Sequence, residues 1–176
     1  QNVDKKHFFS RLQQADVVLV GDFHAQKQST RGFLRIIRKI KTDFVLALEC
    51  LRVSDQPYID AFISGELSEK DFLSKVAWKK NWGFPWENYK ALFKWAQQHK
   101  TPVYGINTDK ANESLAVRDQ FSALRVRDIM QKHKTKKIFI QYGDLHLAGS
   151  HLPKCLKKTI PKLNLCVVYQ SPEELY

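Results

Sequence analysis

Two stretches decide the reading: Val17-Val18-Leu19-Val20-Gly21-Asp22-Phe23-His24, and Ile138-Phe139-Ile140-Gln141-Tyr142-Gly143-Asp144-Leu145-His146. Each is an apolar run that breaks at Gly-Asp-apolar-His. The chain holds only seven glycines and six histidines, so the same four-residue pattern written twice calls for a common cause. Near-continuous apolar runs, without polar alternation, are the mark of strands covered on both faces.

Working outward, three more runs have that character: Phe44–Leu48 ending at Glu49, Pro102–Ile106 ending at Asn107, and Leu165–Tyr169. Helical patterns fill the gaps. Phe33, Ile36, Ile37 and Ile40 follow helical spacing, as do Tyr89, Leu92, Phe93 and Ala96. Ser68 to Asp71 reads as a capping box ahead of Phe72, Leu73, Val76 and Ala77. Pro57 suits a first helical turn. Asn112 to Lys132 reads as one long helix with two apolar phases: Val117, Phe121 and Leu124, then Val126, Ile129 and Met130.

Strands alternating with helices predict an α/β fold: a mainly parallel central sheet of about five strands flanked by helices. The segment after the second strand, approximately 54–100, is too long for one crossover. It reads as an insertion of about three helices, rich in aromatics: Trp78, Trp82, Phe84, Trp86, Tyr89, Phe93 and Trp95. With no linker or low-complexity stretch, residues 1–176 read as one domain.

Composition narrows the classes. A 43% hydrophobic fraction supports a real core, and no run approaches the roughly 20 apolar residues of a membrane span. The net charge of +11 suits anionic partners. No nucleic-acid fingerprint accompanies it, so specific nucleic-acid binding is not expected. Cys50, Cys155 and Cys166 are an odd count without CxxC spacing, which reads as three buried free thiols and points to a reducing compartment.

In an open α/β sheet, ligands bind outside the carboxyl ends of the strands. Four of the five runs end there in polar residues: Asp22 and His24, Glu49, Asn107, and Asp144 and His146. Two strand exits thus present the same pair of groups to one crevice. Two imidazoles with carboxylates suit a divalent metal such as iron, zinc or manganese, with His24, Glu49, His146, Asp22 and Asp144 as the ligand pool. Asp22 and Asp144 are also the natural groups to orient the two imidazoles.

The GDFH exit, the ALEC strand, NWGFPWENYKALFKWA, VYGIN and IQYGDLHLAGSHLP together resemble the ChaN family. The closing VVYQSPEELY resembles the end of ChaN-type lipoproteins. The family is described as haem-binding and linked to iron uptake, within a superfamily that includes Tiki, TraB and the erythromycin esterases, with paired GxxH motifs and a glutamate. The resemblance maps the motif histidines onto His24 and His146, the glutamate onto Glu49 and the middle-strand asparagine onto Asn107. It departs at Asp22, where the family usually has glutamate.

Three functions follow. The ChaN resemblance implies a haem- or iron-binding protein. Haem requires an apolar slot, an axial ligand and cations for its propionates. The insertion can line a slot, Lys79, Lys80 and Lys90 can meet propionates, and Tyr58, Tyr89, Tyr104, His99 and His151 are the axial candidates. The Tiki and esterase relatives imply instead a metal-dependent hydrolase. In it His24 and His146 bind metal, Glu49 is ligand or base, and Asn107 stabilises an oxyanion. A metal-free version uses a histidine as base with Glu49 orienting it. The third reading is a binding module whose polar cluster is structural, with Arg118 as an anion contact or, by preference, a structural salt-bridge residue. Partners implied are haem or another small molecule, a second copy of the chain, and a membrane surface reached through a lipid anchor outside this sequence. The family implies the bacterial cell envelope, periplasmic or lipoprotein; the free thiols point the other way, to the cytoplasm.

Overall fold

The computed structural model describes residues 4–24, 26–110 and 112–170; the final residues of the VVYQSPEELY stretch lie outside these. The elements run α1 (Lys5–Gln14), β1 (Val17–Asp22), α2 (Lys27–Ile37), β2 (Phe44–Arg52), α3 (Gln56–Ser64), α4 (Glu69–Lys75), α5 (Trp78–Asn81), α6 (Lys90–Gln98), β3 (Val103–Asn107), α7 (Leu115–Lys132), β4 (Lys137–Gly143), α8 (Leu152–Thr159) and β5 (Leu165–Val168). The five strands form one parallel sheet in the order β3-β2-β4-β1-β5.

The continuous apolar runs now have their reason. Successive strand residues feed opposite faces. Val18, Val20, Leu46, Leu48 and Phe139 join one core, with side chains from α1 to α6. Val17, Leu19, Val45, Ala47, Ile138 and Ile140 join the other, under α7 and α8. The connection leaving β1 therefore crosses one face and the connection leaving β4 crosses the other. These two strands are neighbours, with Asp22 opposite Gly143. Their carboxyl ends bound the point where the connections switch faces, the position at which such sheets commonly place ligands.

Strand β2 does not stop at Glu49. It runs on to Arg52, with its pairing to β3 irregular between Leu48 and Arg52. Gly105 permits this, because a Cβ there would lie 2.2 Å from the Arg52 carbonyl oxygen. Glu49 is thus held inside a strand, more firmly than at a frayed end.

The insertion holds α3 to α6, starting with Pro57 in the first turn of α3. Ser68 caps α4 by accepting from the Asp71 N–H at 3.1 Å. Phe72, Trp78, Trp86, Tyr89, Phe93 and Trp95 are core residues packed on one sheet face. Helix α7 buries a single stripe of Asp119, Ser122, Ala123, Val126 and Ile129. The expected first apolar phase is turned outward: Val117 and Leu124 are exposed, because the first half of the buried stripe is polar and serves the crevice. Helix α1 had no counterpart in the sequence reading. The three cysteines are free, and half-buried rather than buried.

Candidate functional site

The first Gly-Asp-apolar-His stretch carries β1 to its end at Asp22 and turns out of the sheet at Phe23 and His24. The Asp22 carboxylate is buried and accepts from His24 Nδ1 at 2.8 Å and from the Tyr89 hydroxyl at 3.1 Å. The neighbour two residues away therefore does reach its imidazole. Trp82 and Phe84 pack against the His24 ring, with centroids 4.5 and 5.1 Å away. Burial alone would lower the His24 pKa; the Asp22 hydrogen bond and the charge of Glu49 outweigh it and raise the pKa above its ordinary value. Tyr89 is pushed far up by burial and by the charge of Asp22, so its hydroxyl stays a donor.

The second stretch behaves differently. Past Gly143 the chain forms a short turn of 3-10 helix, Asp144–Leu147. His146 is buried and its Nδ1 donates to Asp119 on α7 at 2.6 Å, not to Asp144. The tight turn breaks the extended geometry that would have set Asp144 beside His146. Asp119 takes a second imidazole, from His151 Nδ1 at 3.0 Å. Below it, Ser122 donates to the Ile106 carbonyl at 2.8 Å and so accepts from the Tyr142 hydroxyl at 2.8 Å. Burial, and then the charge of Glu49, push the Tyr142 pKa up.

Glu49 joins the two halves. Its Oε2 accepts from the Gly143 backbone N–H at 2.6 Å, and its Oε1 is ion-paired with Arg118 of α7. Both motif imidazoles point Nε2 towards it, His24 at 3.5 Å from Oε2 and His146 at 3.8 Å from Oε1. His24, Glu49 and His146 therefore meet in one side-chain cluster.

The motif glycines explain the doubling. A Cβ on Gly21 would lie 1.8 Å from Asp144 Oδ1, and a Cβ on Gly143 would lie 2.9 Å from His24 Nε2. Each glycine vacates the space that the other motif's side chain fills.

Asn107, Tyr104, His99 and Tyr58 have their contacts outside the cluster. Asn107 ends β3, but its Oδ1 accepts from the Thr108 N–H. The Tyr104 hydroxyl is hydrogen-bonded to His133 Nε2 at 2.6 Å, near the far end of α7. His99 closes α6 at the amino ends of the strands, stacked on Trp95. Tyr58 stands on α3 with Lys75 above its ring. Of the five axial candidates only Tyr89 and His151 touch the cluster, and Tyr89 is fully buried. The slot expected from the tryptophans is filled by their mutual packing, except where Trp82 and Phe84 face His24. Lys90 is held by Glu69 at 2.8 Å. Among the described residues, no group of three or more His, Cys, Asp or Glu side chains is arranged to hold a metal ion. The aspartates hold the histidine Nδ1 atoms, while Arg118 and Gly143 hold Glu49.

Sequence reading missed Asp119 altogether, and left Arg118 as a salt-bridge residue without its partner. The signal for Asp119 was its place, with Ser122, at the head of the Ala123–Val126–Ile129 stripe.

A family model described as "Haem-binding uptake, Tiki superfamily, ChaN" matches residues 8–143. No curated protein matches the chain. The structure solved for cofacial haem binding to ChaN of Campylobacter jejuni is similar over 100% of this chain and 89% of that one, with a TM-score of 0.72 and 15% identity. RRSP, a MARTX toxin effector domain from Vibrio vulnificus, is similar over 97% of this chain and 36% of its own, with a TM-score of 0.66 and 16% identity. The C-terminal region of Pasteurella multocida toxin, described with a thiol-protease like catalytic triad, is similar over 82% of this chain and 21% of its own (TM-score 0.61, 12% identity). At these identities the likenesses establish the α/β fold.

Proposed function

The chain belongs to the ChaN family of haem-binding uptake proteins in the Tiki superfamily, and from that premise we propose that it binds haem on the rim of the cleft at the carboxyl ends of the strands. One observation carries this reading. Among the described residues, most of the exposed large apolar side chains follow the carboxyl ends of the strands: Phe23 beside His24, Leu145 beside His146, Leu115 and Val117 beside Arg118, and Tyr169 just past β5. Tyr169 is tied to the cluster by donating to the Leu147 carbonyl at 2.9 Å. A crown of exposed apolar groups around a polar cluster marks a binding surface, and it fits a flat apolar ring with a polar centre.

The residues present fit the group in three respects. Phe23, Leu145 and Tyr169 offer apolar faces to the porphyrin. His151 is the axial ligand of choice: its Nδ1–H is held by Asp119, which leaves Nε2 as the lone-pair nitrogen, and its ring is about one third exposed. Lys79 and Lys80 are exposed on α5, next to the Trp82 that packs on His24, and suit propionates. Bound haem supplies an iron open to ligand and electron exchange. Iron uptake at the bacterial envelope is the finer role that the family suggests.

Haem titration tests the proposal. A Soret band is expected with the unaltered chain, shifted or lost in His151→Ala and weakened in Leu145→Glu, with thermal unfolding unchanged. An identical spectrum and affinity in both variants would count against this site.

A second reading is favoured by the paired imidazoles. His24 and His146 each donate Nδ1–H to an aspartate, which leaves Nε2 basic and directed at the same carboxylate. That arrangement suits metal-free acid–base hydrolysis, with water as nucleophile. Ester turnover abolished by both His24→Ala and His146→Ala would support it, and turnover that survives both would remove it.

A further inference from the structure

At the amino ends of the strands, the opposite end of the sheet from the cleft, lies an open groove of about 650 Å³. Its walls are the end of α2 and the loop to Phe44, the end of α6 through Pro102, and Lys136 ahead of β4. That volume falls within the roughly 300–1,000 Å³ of small-molecule sites.

The groove is cationic. Arg38, Lys41, Lys100 and Lys136 border it, against Asp43 as the lining carboxylate. Among the described residues no carboxylate lies within ion-pair distance of any of the four. Basic side chains at helix ends ordinarily answer the exposed carbonyls and the macrodipole. Here the chain has already met that need. The Leu34, Ile36 and Ile37 carbonyls accept from the backbone N–H groups of Arg38, Lys39 and Ile40. Those of Trp95, Ala96 and Gln97 accept from His99, Thr101 and Lys100. Four cationic residues therefore line one groove with a single carboxylate among them, and an anion relieves the excess positive charge.

The groove is also aromatic. Phe44, Trp95 and His99 form a ladder of nearly parallel rings, with Phe44 and Trp95 at 6.0 Å and 2°, and Trp95 and His99 at 4.3 Å and 20°. Trp95 is buried within it and His99 is exposed at its open end. His99 Nδ1 donates to the Trp95 carbonyl at 2.8 Å, which locks the imidazole flat on the indole. The ladder thus presents a pre-set π face beside the cations.

We infer that this groove is a second binding site, for a nucleotide whose base stacks on His99 and whose phosphates are held by Lys41, Lys100 and their basic neighbours. A flat ring joined to several negative charges matches both halves of the groove, whereas a bare anion uses only one.

The test is calorimetric titration of the full chain with adenosine triphosphate, and with adenosine and tripolyphosphate as its two halves. The whole nucleotide is expected to bind at least about tenfold more tightly than either half. Lys41→Ala with Lys100→Ala should weaken the nucleotide and tripolyphosphate by roughly tenfold or more. His99→Ala should bring the nucleotide down to the level of tripolyphosphate. All three side chains are exposed, so far-UV circular dichroism should not change; should the double variant unfold, Lys41→Gln alone gives the same reading at smaller amplitude. Nucleotide affinity untouched by these substitutions, or tripolyphosphate binding as tightly as the nucleotide, would overturn the inference. So would loss of the haem Soret band in the double lysine variant, which would assign the groove to haem.

Discussion

Arg118 on α7 is ion-paired with Glu49 on β2, and the carboxylate it neutralises is 3% exposed. Removing one partner of a buried pair leaves an uncompensated charge, which is costlier than losing both. Arg118→Met is therefore expected to destabilise the chain by about 3–5 kcal/mol. The double change Arg118→Met with Glu49→Gln should cost less than the sum of the singles by ~1–3 kcal/mol. Urea unfolding of the four proteins measures this. Additive costs, or a single Arg118→Met cost below about 1 kcal/mol, would show that the pair does not hold the cleft together.

Gly143 abuts both His24 and Glu49, where an added Cβ would sit 2.9 and 3.2 Å from side-chain atoms. Both neighbours are fixed by other bonds and give way poorly. Gly143→Ala should cost ~1–3 kcal/mol, in the range of overpacking a core. Gly149 has nothing within 4 Å of its added Cβ, so Gly149→Ala should leave stability within about 0.5 kcal/mol. Equal melting temperatures for the two variants would contradict the packing described.

The sign of the His24 shift sets a pH dependence. Its folded pKa is raised above the ordinary 6.5 because Asp22 and Glu49 favour the imidazolium. A raised value means that protonated His24 stabilises the fold, fully at pH below 6.5, and that this contribution is lost as pH rises through the folded value. The stability difference between the unaltered chain and His24→Gln should therefore shrink from pH 6 to pH 9, in a window above the carboxylate titrations near about 4. Thermal melts across that range check it, as does the NMR titration of the His24 ring. A midpoint below 6.5 would reverse the sign.

Asp119 is fully buried and accepts from two imidazoles. Asp119→Asn keeps the shape but sets an NH2 against one ring nitrogen, so one imidazole must switch tautomer or lose its bond. The cost should be ~1–3 kcal/mol, that of an unsatisfied buried group. NMR chemical shifts of the histidine ring nitrogens should show the switch at His146 or His151. Unchanged tautomers and stability would mean that the aspartate does not orient these rings.

How far the sequence carried depended on where each interaction was written. Strands were legible because both faces are buried, which makes the apolar run continuous in the chain itself. The meeting of His24, Glu49 and His146 was legible because all three follow apolar strand runs, and parallel strands place those exits together. Asp119 was not, because hydrophobic periodicity treats a charged residue as solvent-facing, while in α7 the buried stripe begins with Asp119 and Ser122. The axial candidates were chosen by residue type alone. Tyr58, Tyr104 and His99 then fell in separate parts of the molecule, Tyr104 among them buried, since nothing in a residue's type says which end of a strand or helix it faces.

The interlock of Gly21 with Asp144 and of Gly143 with His24 has a practical corollary for protein engineering. Neither motif is a portable cassette. Transplanting 17–24 into another parallel sheet without 137–146 would put a foreign side chain where Asp144 or His24 must sit. The smallest transferable unit is the adjacent strand pair together, and a library that randomises one glycine while holding its counterpart constant samples mostly broken molecules.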